Sequence, residues 1–390
     1  MTDERIYLDH AATTPVRPEV LEAMLPYFTL SGYNPSSLHA EGRRARAALD
    51  EARDRVAGLL GAQRKEIVFT GSGSEADNLA IFGVARARGG RGARGGHLLS
   101  TAIEHPAVLR ALDALRDEGW AVSLLAVDRD GLVDPAAFAA ALRPDTVLAS
   151  VMCANNEIGT VEPVARLAAI ARERGVLFHT DAIQAAAYLP LDVAALGVDL
   201  LSLSAHKFYG PKGVGALYVR DGTPLQPMIG GGGQEFGRRA GTENVAGIVG
   251  FATALSMAAG ERDAASVRVA GLRNRLERAI LASVEGAWIN GGGAARLPGT
   301  SSASIRDVDG EQLLVRLDLE GIAVSGGSAC ASGALEPSHV IAALSGEPRG
   351  RFGTVRFSLG RSTTAEEIDR LIALLPGIVA ELRAFSVVPK

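Results

Sequence analysis

The run Val198-Asp-Leu-Leu-Ser-Leu-Ser-Ala-His-Lys-Phe-Tyr-Gly-Pro-Lys-Gly-Val-Gly215 decides how the rest of the chain is read. Its first part, Val198 to Leu203, is mostly apolar, of strand length and bounded by turn residues, which predicts a buried strand. Ser204, His206 and Lys207 fall where that strand ends, and Gly210, Pro211 and Gly213 then force a loop. A lysine just past a buried strand suits imine chemistry. Partial desolvation lowers its pKa, and the neutral amine attacks a carbonyl. The bland alternative is a surface lysine, and composition weighs against it. Of 40 Lys plus Arg only four are lysines, at 65, 207, 212 and 390, so arginine solvates the surface. Lys390 is the last residue and Lys65 sits in a charged turn. That leaves Lys207 or Lys212, and Lys207 follows the strand more closely.

Outward from this stretch, strands alternate with helices from Glu66 to Val219. That pattern predicts a parallel sheet with its ligand crevice at the carboxyl ends of the strands. The strand Glu66 to Thr70 feeds Gly71-Ser-Gly-Ser-Glu75, which opens a helix. Such a turn aims several backbone N–H groups at one anion, helped by the helix dipole. Ser72 and Glu75 also fit a plain capping box. Gly71-x-Gly-x-x-Ala76 raises a dinucleotide-binding alternative, but that fingerprint expects an acidic residue about 20 positions on. Here Gly89 to Gly96 is a glycine-rich loop instead. His105 leaves the strand Leu98 to Thr101 with Pro106 at the first helical position. Asp181 ends the stretch that begins at Val176. Both open onto the crevice that receives Lys207.

At 390 residues about two domains are expected. Hydrophobic content of 47% with 22% charged residues is ordinary globular composition. A net charge of -4 gives no broad basic field, which argues against nucleic acid and anionic membrane as partners. No apolar run reaches the roughly 18 residues of a membrane span. The start has no basic-then-apolar leader, and two cysteines make no disulfide framework, so a cytoplasmic, reducing setting is expected. Cys153 ends an apolar run and reads as a small buried hydrophobe. Near Gly260 the alternation gives way to a long Ala/Arg-rich helix, and a domain boundary is expected there. Farther on, Val355, Phe357 and Leu359 alternate with Arg356 and Ser358, so Arg356 projects from a strand, either as an ordinary surface charge pair or as a fixed fork for a carboxylate. The stretch 325–337, rich in Gly and Ser around Cys330, should be a mobile loop.

Together these residues complete a set: an anion cup at 71–75, an imine lysine, an acid at Asp181, an imidazole at His105 and a carboxylate fork at Arg356. Pyridoxal phosphate needs such a set. Its phosphate takes backbone donors, its aldehyde a lysine, and its pyridinium nitrogen an aspartate.

The motifs that carry a family resemblance run from Tyr7 to about Asp369. They are Tyr7-Leu-Asp-His-Ala-Ala-Thr-Thr-Pro15, Asn34-Pro-Ser-Ser37, Ile103-Glu-His-Pro106, Ala154-Asn-Asn-Glu-Ile-Gly159, His179-Thr-Asp-Ala182, Ser204-Ala-His-Lys-Phe-Tyr-Gly-Pro-Lys-Gly213, Gly241-Thr-Glu-Asn244, Gly327-Ser-Ala-Cys330 and Val355-Arg-Phe-Ser-Leu-Gly-Arg361. The chain resembles the NifS/IscS-type cysteine desulfurases. The resemblance implies an α/β, aspartate-aminotransferase-like (type I) pyridoxal-phosphate fold. A large domain, 16–260, would hold a mostly parallel sheet, and residues 1–15 with 261–390 would form a smaller α+β domain carrying the 325–337 loop.

It also implies roles. Lys207 would form the imine with the cofactor. Asp181 would pair with the ring nitrogen, Gln184 with the ring oxygen, and His105 would stack on the ring. Gly73, Ser74, Ser204 and His206 would hold the phosphate, and Thr242 would reach the phosphate in the partner subunit of a homodimer. Asn155 would touch both cofactor and substrate, while Arg356 and Asn34 would orient substrate. Cys330 would take sulfur from L-cysteine, leaving L-alanine and a persulfide. A sulfur acceptor or iron–sulfur scaffold protein would follow. No intrinsic metal is expected, with Cys330 at most a transient ligand of a nascent cluster. The phosphate turn departs from the family's usual Ser-Gly-Ala-Thr-Glu, though Ser74 keeps a hydroxyl. A selenocysteine lyase or an aminotransferase on the same fold is the nearer alternative. A non-catalytic dinucleotide-binding or scaffold protein is the more distant one.

Overall fold

The computed structural model describes residues 5–29, 32–89, 95–326, 338–345 and 352–385. Cys330 and most of its loop lie outside the described residues. The chain opens with a short arm strand, β1 (Ile6–Tyr7). Seven strands then build the main sheet: β2 (Ile67–Thr70), β3 (His97–Thr101), β4 (Ala121–Leu125), β5 (Thr146–Ser150), β6 (Leu177–Asp181), β7 (Leu200–Ser204) and β8 (Gly215–Val219). Their order is β2-β8-β7-β6-β5-β3-β4. The strands from β7 to β4 pair in parallel. Helices cover both faces, so β7 and β8 are buried at every position, and each reads as a mostly apolar run rather than as an alternation.

The sheet is mostly parallel, as expected, and one strand is the exception: β8 is antiparallel to both β7 and β2. The connection from Ala205 to Val214 is too short for a crossover, which takes a dozen or more residues, so the chain turns back as a hairpin. The consequence is useful. β2 again points the same way as β7, and the carboxyl ends of β2, β3, β5, β6 and β7 share one edge.

One apolar cluster packs on the main sheet and includes Leu99, Phe178 and Leu201, and a second is separate from it. The second contains Ile6 and Leu8 of the arm, Ala303 and Ile305, Val355 and Phe357, and Ile368 and Leu371. Its three-stranded antiparallel sheet has the order β12 (Phe352–Ser358), β10 (Thr300–Arg306), β9 (Ala287–Ile289). The arm strand pairs in parallel with β11 (Ile322–Ala323), Ile6 opposite Ile322.

The two clusters share one helix, Val245–Ser283, of 39 residues and about 58 Å at the usual rise. Its Ile248, Phe251 and Leu255 enter the first cluster, and Val269, Leu276 and Ile280 the second. The change of character expected near Gly260 is therefore a change of core along a continuous helix, not a break in the backbone.

Candidate active site

The sheet's shared carboxyl edge opens a cavity of about 390 Å³. Its wall includes Gly73 and Ser74, His105, Asp181 and Gln184, Ser204, His206 and Lys207, and Arg356. Nine residues expected at the site thus line one space, contributed by the ends of β3, β6 and β7, one helix start and β12 of the second sheet.

The Gly73–Gly89 helix starts directly at the cavity. Ser72 Oγ accepts from Glu75 N at 3.1 Å, so a helix cap is indeed present. Glu75 reaches back to Gly71 N, at 2.7 Å, rather than to Ser72 N, and pairs with Arg239 at 2.9 Å. The first amides of any helix have no intrahelical acceptor. Those of Gly73 and Ser74 head the helix at the cavity wall, where an anion suits them. A Cβ on Gly73 would fall 2.3 Å from Ile183 Cδ1 and 3.0 Å from Ser204 Cβ, so the cup needs glycine there.

Lys207 Nζ donates to the carbonyls of Ala11 and Ala12, at 2.5 and 2.8 Å. Gln184 Nε2 donates to the Ala11 carbonyl too, at 2.9 Å. The ring of His206 lies 3.2 Å from Thr13 Oγ1. The turn 9–14 is thus a wall of the site. In the sequence these residues stand out only as part of the Tyr7–Pro15 motif, and nothing local marks them as facing the lysine.

His105 caps the Pro106–Asp117 helix, its Nδ1 accepting from Ala107 N at 3.1 Å. That bond leaves the ring's proton on Nε2. Burial, and then the Lys207 ammonium, pushes His105 down to about 4, so the ring is neutral at physiological pH. The same causes, burial first, put His206 at about 4. Asp181 Oδ1 accepts from Ile183 N at 2.9 Å. Burial raises Asp181 to about 6, while the Ile183 bond and Lys207 oppose the rise. Beneath it Asp77 is fully buried and its pKa raised, by burial and then by Asp181. Burial also holds the Cys153 thiol up at about 12, an inert group.

Three expected residues are not part of this wall. Asn155 is a correction. Its side chain is buried and turned inward, Nδ2 donating to the Ile103 carbonyl at 2.9 Å and Oδ1 accepting from Glu157 N and Ile158 N at 2.8 and 3.0 Å. It shapes the loop, and the next residue, Asn156, lines the cavity. Two adjacent asparagines look alike in a sequence, and only the turn decides which one faces out. Asn34 is exposed and accepts from Ser36 N at 2.9 Å, a turn of its own away from the cavity. Thr242 is exposed in the loop of residues 230–244, which opens on four glycines, and lines none of this chain's cavity. Met152, Glu157 and Lys212, not expected at the site, do line it.

The donor set fits pyridoxal phosphate: a glycine cup with hydroxyls at Ser74 and Ser204, the amines of Lys207 and Lys212, the buried carboxyls of Asp181 and Glu157, and the arginine Arg356 on a single cavity. Among the described residues, no group of His, Cys, Asp and Glu could hold a metal, and no helix is long and apolar enough to cross a membrane.

Residues 6–371 match the family of class-V aminotransferases. The chain is 48% identical over 381 residues to the cysteine desulfurase IscS of Dictyoglomus turgidum, covering 98% of this chain and 96% of that protein. It is 50% identical to a cysteine desulfurase of Cereibacter sphaeroides, with 98% of each covered. Among solved structures, a NifS-like protein superposes with a TM-score of 0.90 at 36% identity, over 97% of this chain and all of that one. SspA in complex with cysteine superposes with a TM-score of 0.81 at 37% identity, over 92% of this chain and all of that one. The chain belongs to the class-V aminotransferase family and, within it, to the pyridoxal-phosphate-dependent cysteine desulfurases.

Proposed function

We propose that this enzyme takes sulfur from L-cysteine, releases L-alanine and carries the sulfur as a persulfide on Cys330. The sulfur then passes to an acceptor protein for iron–sulfur cluster assembly or other thio-cofactor synthesis. The observation that carries this reading is the meeting of Lys207, Asp181, His105, the 71–75 turn and Arg356 at one cavity. A relative held with cysteine supports the substrate.

Bound pyridoxal phosphate supplies an aldehyde that takes up an amine and a ring that accepts the electron pair released at Cα. Lys207 Nζ is the amine that holds the aldehyde at rest and the base that moves a proton between substrate carbons. Asp181, once ionised, keeps the ring nitrogen protonated, and Gln184 donates to the ring oxygen. His105 faces the ring as a neutral imidazole. Gly73, Ser74, Ser204 and His206 hold the phosphate, and Arg356 takes the substrate carboxylate. The Cys330 thiolate attacks the substrate sulfur. An S–S bond forms, the Cβ–S bond breaks with its electron pair left on carbon, and Cβ takes a proton.

The same reading includes a cytoplasmic homodimer with Thr242 reaching the partner's phosphate site. It divides the chain into residues 16–260 and residues 1–15 with 261–390, a division supported by the two separate apolar clusters. The test starts from the visible spectrum of purified protein. Borohydride should trap an imine that is lost in Lys207→Ala and kept in Lys212→Ala. Cys330→Ser should keep the visible band and lose sulfide and alanine production from L-cysteine. Sulfide release by that variant at the wild-type rate would refute the persulfide step.

A further inference from the structure

Arg356 is almost fully buried, at 2% side-chain exposure, yet it lines the cavity. Its fork is gripped on two sides. Nη1 donates to the Asn156 carbonyl at 2.8 Å, and Nη2 donates to Asp9 Oδ1 at 2.8 Å. Asp9 is itself tied down. Its residue bridges Ser358 beside Arg356, and its carbonyl accepts from Ala12 N at 3.0 Å and from the Tyr7 hydroxyl at 3.1 Å. The turn that begins at Asp9 goes on to Ala11 and Ala12, whose carbonyls hold Lys207. One six-residue turn therefore touches both the arginine and the lysine of the site.

A guanidinium has five donors in a fixed plane, and its orientation decides which edge is offered to a ligand. A carboxylate on one edge fixes that plane and also neutralises part of the charge. We propose that Asp9 is the positioning residue of the Arg356 fork: its carboxylate fixes the plane in which Arg356 meets the α-carboxylate of the amino-acid substrate. This rests on the reading of Arg356 as the carboxylate site.

The test uses the holoenzyme and two ligands, L-alanine and L-alanine methyl ester, followed by the shift of the cofactor's visible band. Asp9→Ala should weaken L-alanine binding about tenfold, the size expected for losing one well-placed charged contact. It should raise KM for L-cysteine by a similar factor, with kcat changed less than about threefold. The band without ligand should be unchanged. The methyl ester should bind wild type and Asp9→Ala equally, since it has no carboxylate for the fork. Asp9→Asn keeps an acceptor of the same reach and should bind L-alanine within about threefold of wild type. Asp9→Glu keeps the charge but is longer by one methylene, and it should resemble Asp9→Ala. If Asp9→Ala does not fold, the contrast of Asp9→Glu with Asp9→Asn decides the matter alone. L-Alanine binding unchanged in Asp9→Ala, or alike in Asp9→Glu and Asp9→Asn, overturns the positioning role. Wild type binding the ester as tightly as L-alanine would instead overturn Arg356 as the carboxylate site, and the proposal with it.

Discussion

At the residue scale, the fold has changed the ordinary ionisation of groups in the cavity wall and of buried groups next to it in the chain. Glu104 is the clearest. It stands beside His105, fully buried, its Oε1 accepting from Met152 N and Thr101 Oγ1 at 2.9 and 2.8 Å. Burial raises it to about 8, so it is a neutral acid in the folded enzyme near pH 7. In the unfolded chain it titrates near 4.3, about the usual glutamate value. The folded state therefore holds an extra proton between the two values. Its stabilising contribution is complete below the unfolded value and is lost as pH rises through about 8. Glu104→Gln keeps the acceptor and cannot ionise. Its melting temperature should fall less than wild type's between about pH 6 and about pH 9, by about 3 °C. Equal slopes in a scan of both proteins would mean that Glu104 is not the group responsible. The residue-scale reading of the sequence reached Lys207, Asp181, His105 and Arg356 because each ends or punctuates a recognisable element. It missed Asn156, which differs from Asn155 only in its place in a tight turn, and the acid Glu157 that follows it.

At the element scale, a buried ion pair holds the loop of residues 230–244. Arg53 donates to both oxygens of Glu235, at 2.6 and 2.7 Å, and its guanidinium sits 4.9 Å from the centre of the Phe69 ring and 5.1 Å from that of Phe236. Glu235 also accepts from Phe69 N at 2.9 Å. Glu235 and Phe236 are both left-handed, at φ 48° and 58°, a conformation that costs side-chain-bearing residues roughly 1–3 kcal/mol each. The contacts of Arg53 and Phe69 outweigh that strain and aim the loop that ends at Thr242. Arg53→Ala should destabilise the protein by about 3–5 kcal/mol, because Glu235 is left as a buried charge without its partner. Urea unfolding checks it, and a loss under about 1 kcal/mol would show that the loop is held elsewhere. This pair was not legible in the sequence. The arginine lies on a helix face among other charges, and its partner is 182 positions away.

At the scale of the whole molecule, the long Val245–Ser283 helix runs from one apolar cluster to the other. Gly260 lies between the parts of the helix that enter the two clusters, exposed, and an added Cβ would meet nothing within 4 Å. A glycine there loses more backbone freedom on folding than alanine would. Gly260→Ala should therefore raise stability by about 0.5–1 kcal/mol, read as a higher urea midpoint. A fall would mean that the glycine relieves a bend in the helix. The arm strand and the turn 9–14 make a second link. They pair with β11 and touch β12 on one side, and hold Lys207 on the other. The site is therefore assembled from chain ends that are far apart in sequence.

The sequence by itself determined the element types, the parallel core of the sheet, the edge where ligands bind and the residues that end its strands. Those features depend on local periodicity, on turn chemistry and on the scarcity of lysine, all of which are written along the chain. Only the tertiary structure decided that β8 turns back, that Asn156 rather than Asn155 faces the cavity, and that Asp9 and the Ala11 and Ala12 carbonyls grip the arginine and the lysine. Each of these follows from loop length or from packing between segments hundreds of residues apart, and no local pattern of residues encodes a contact of that range.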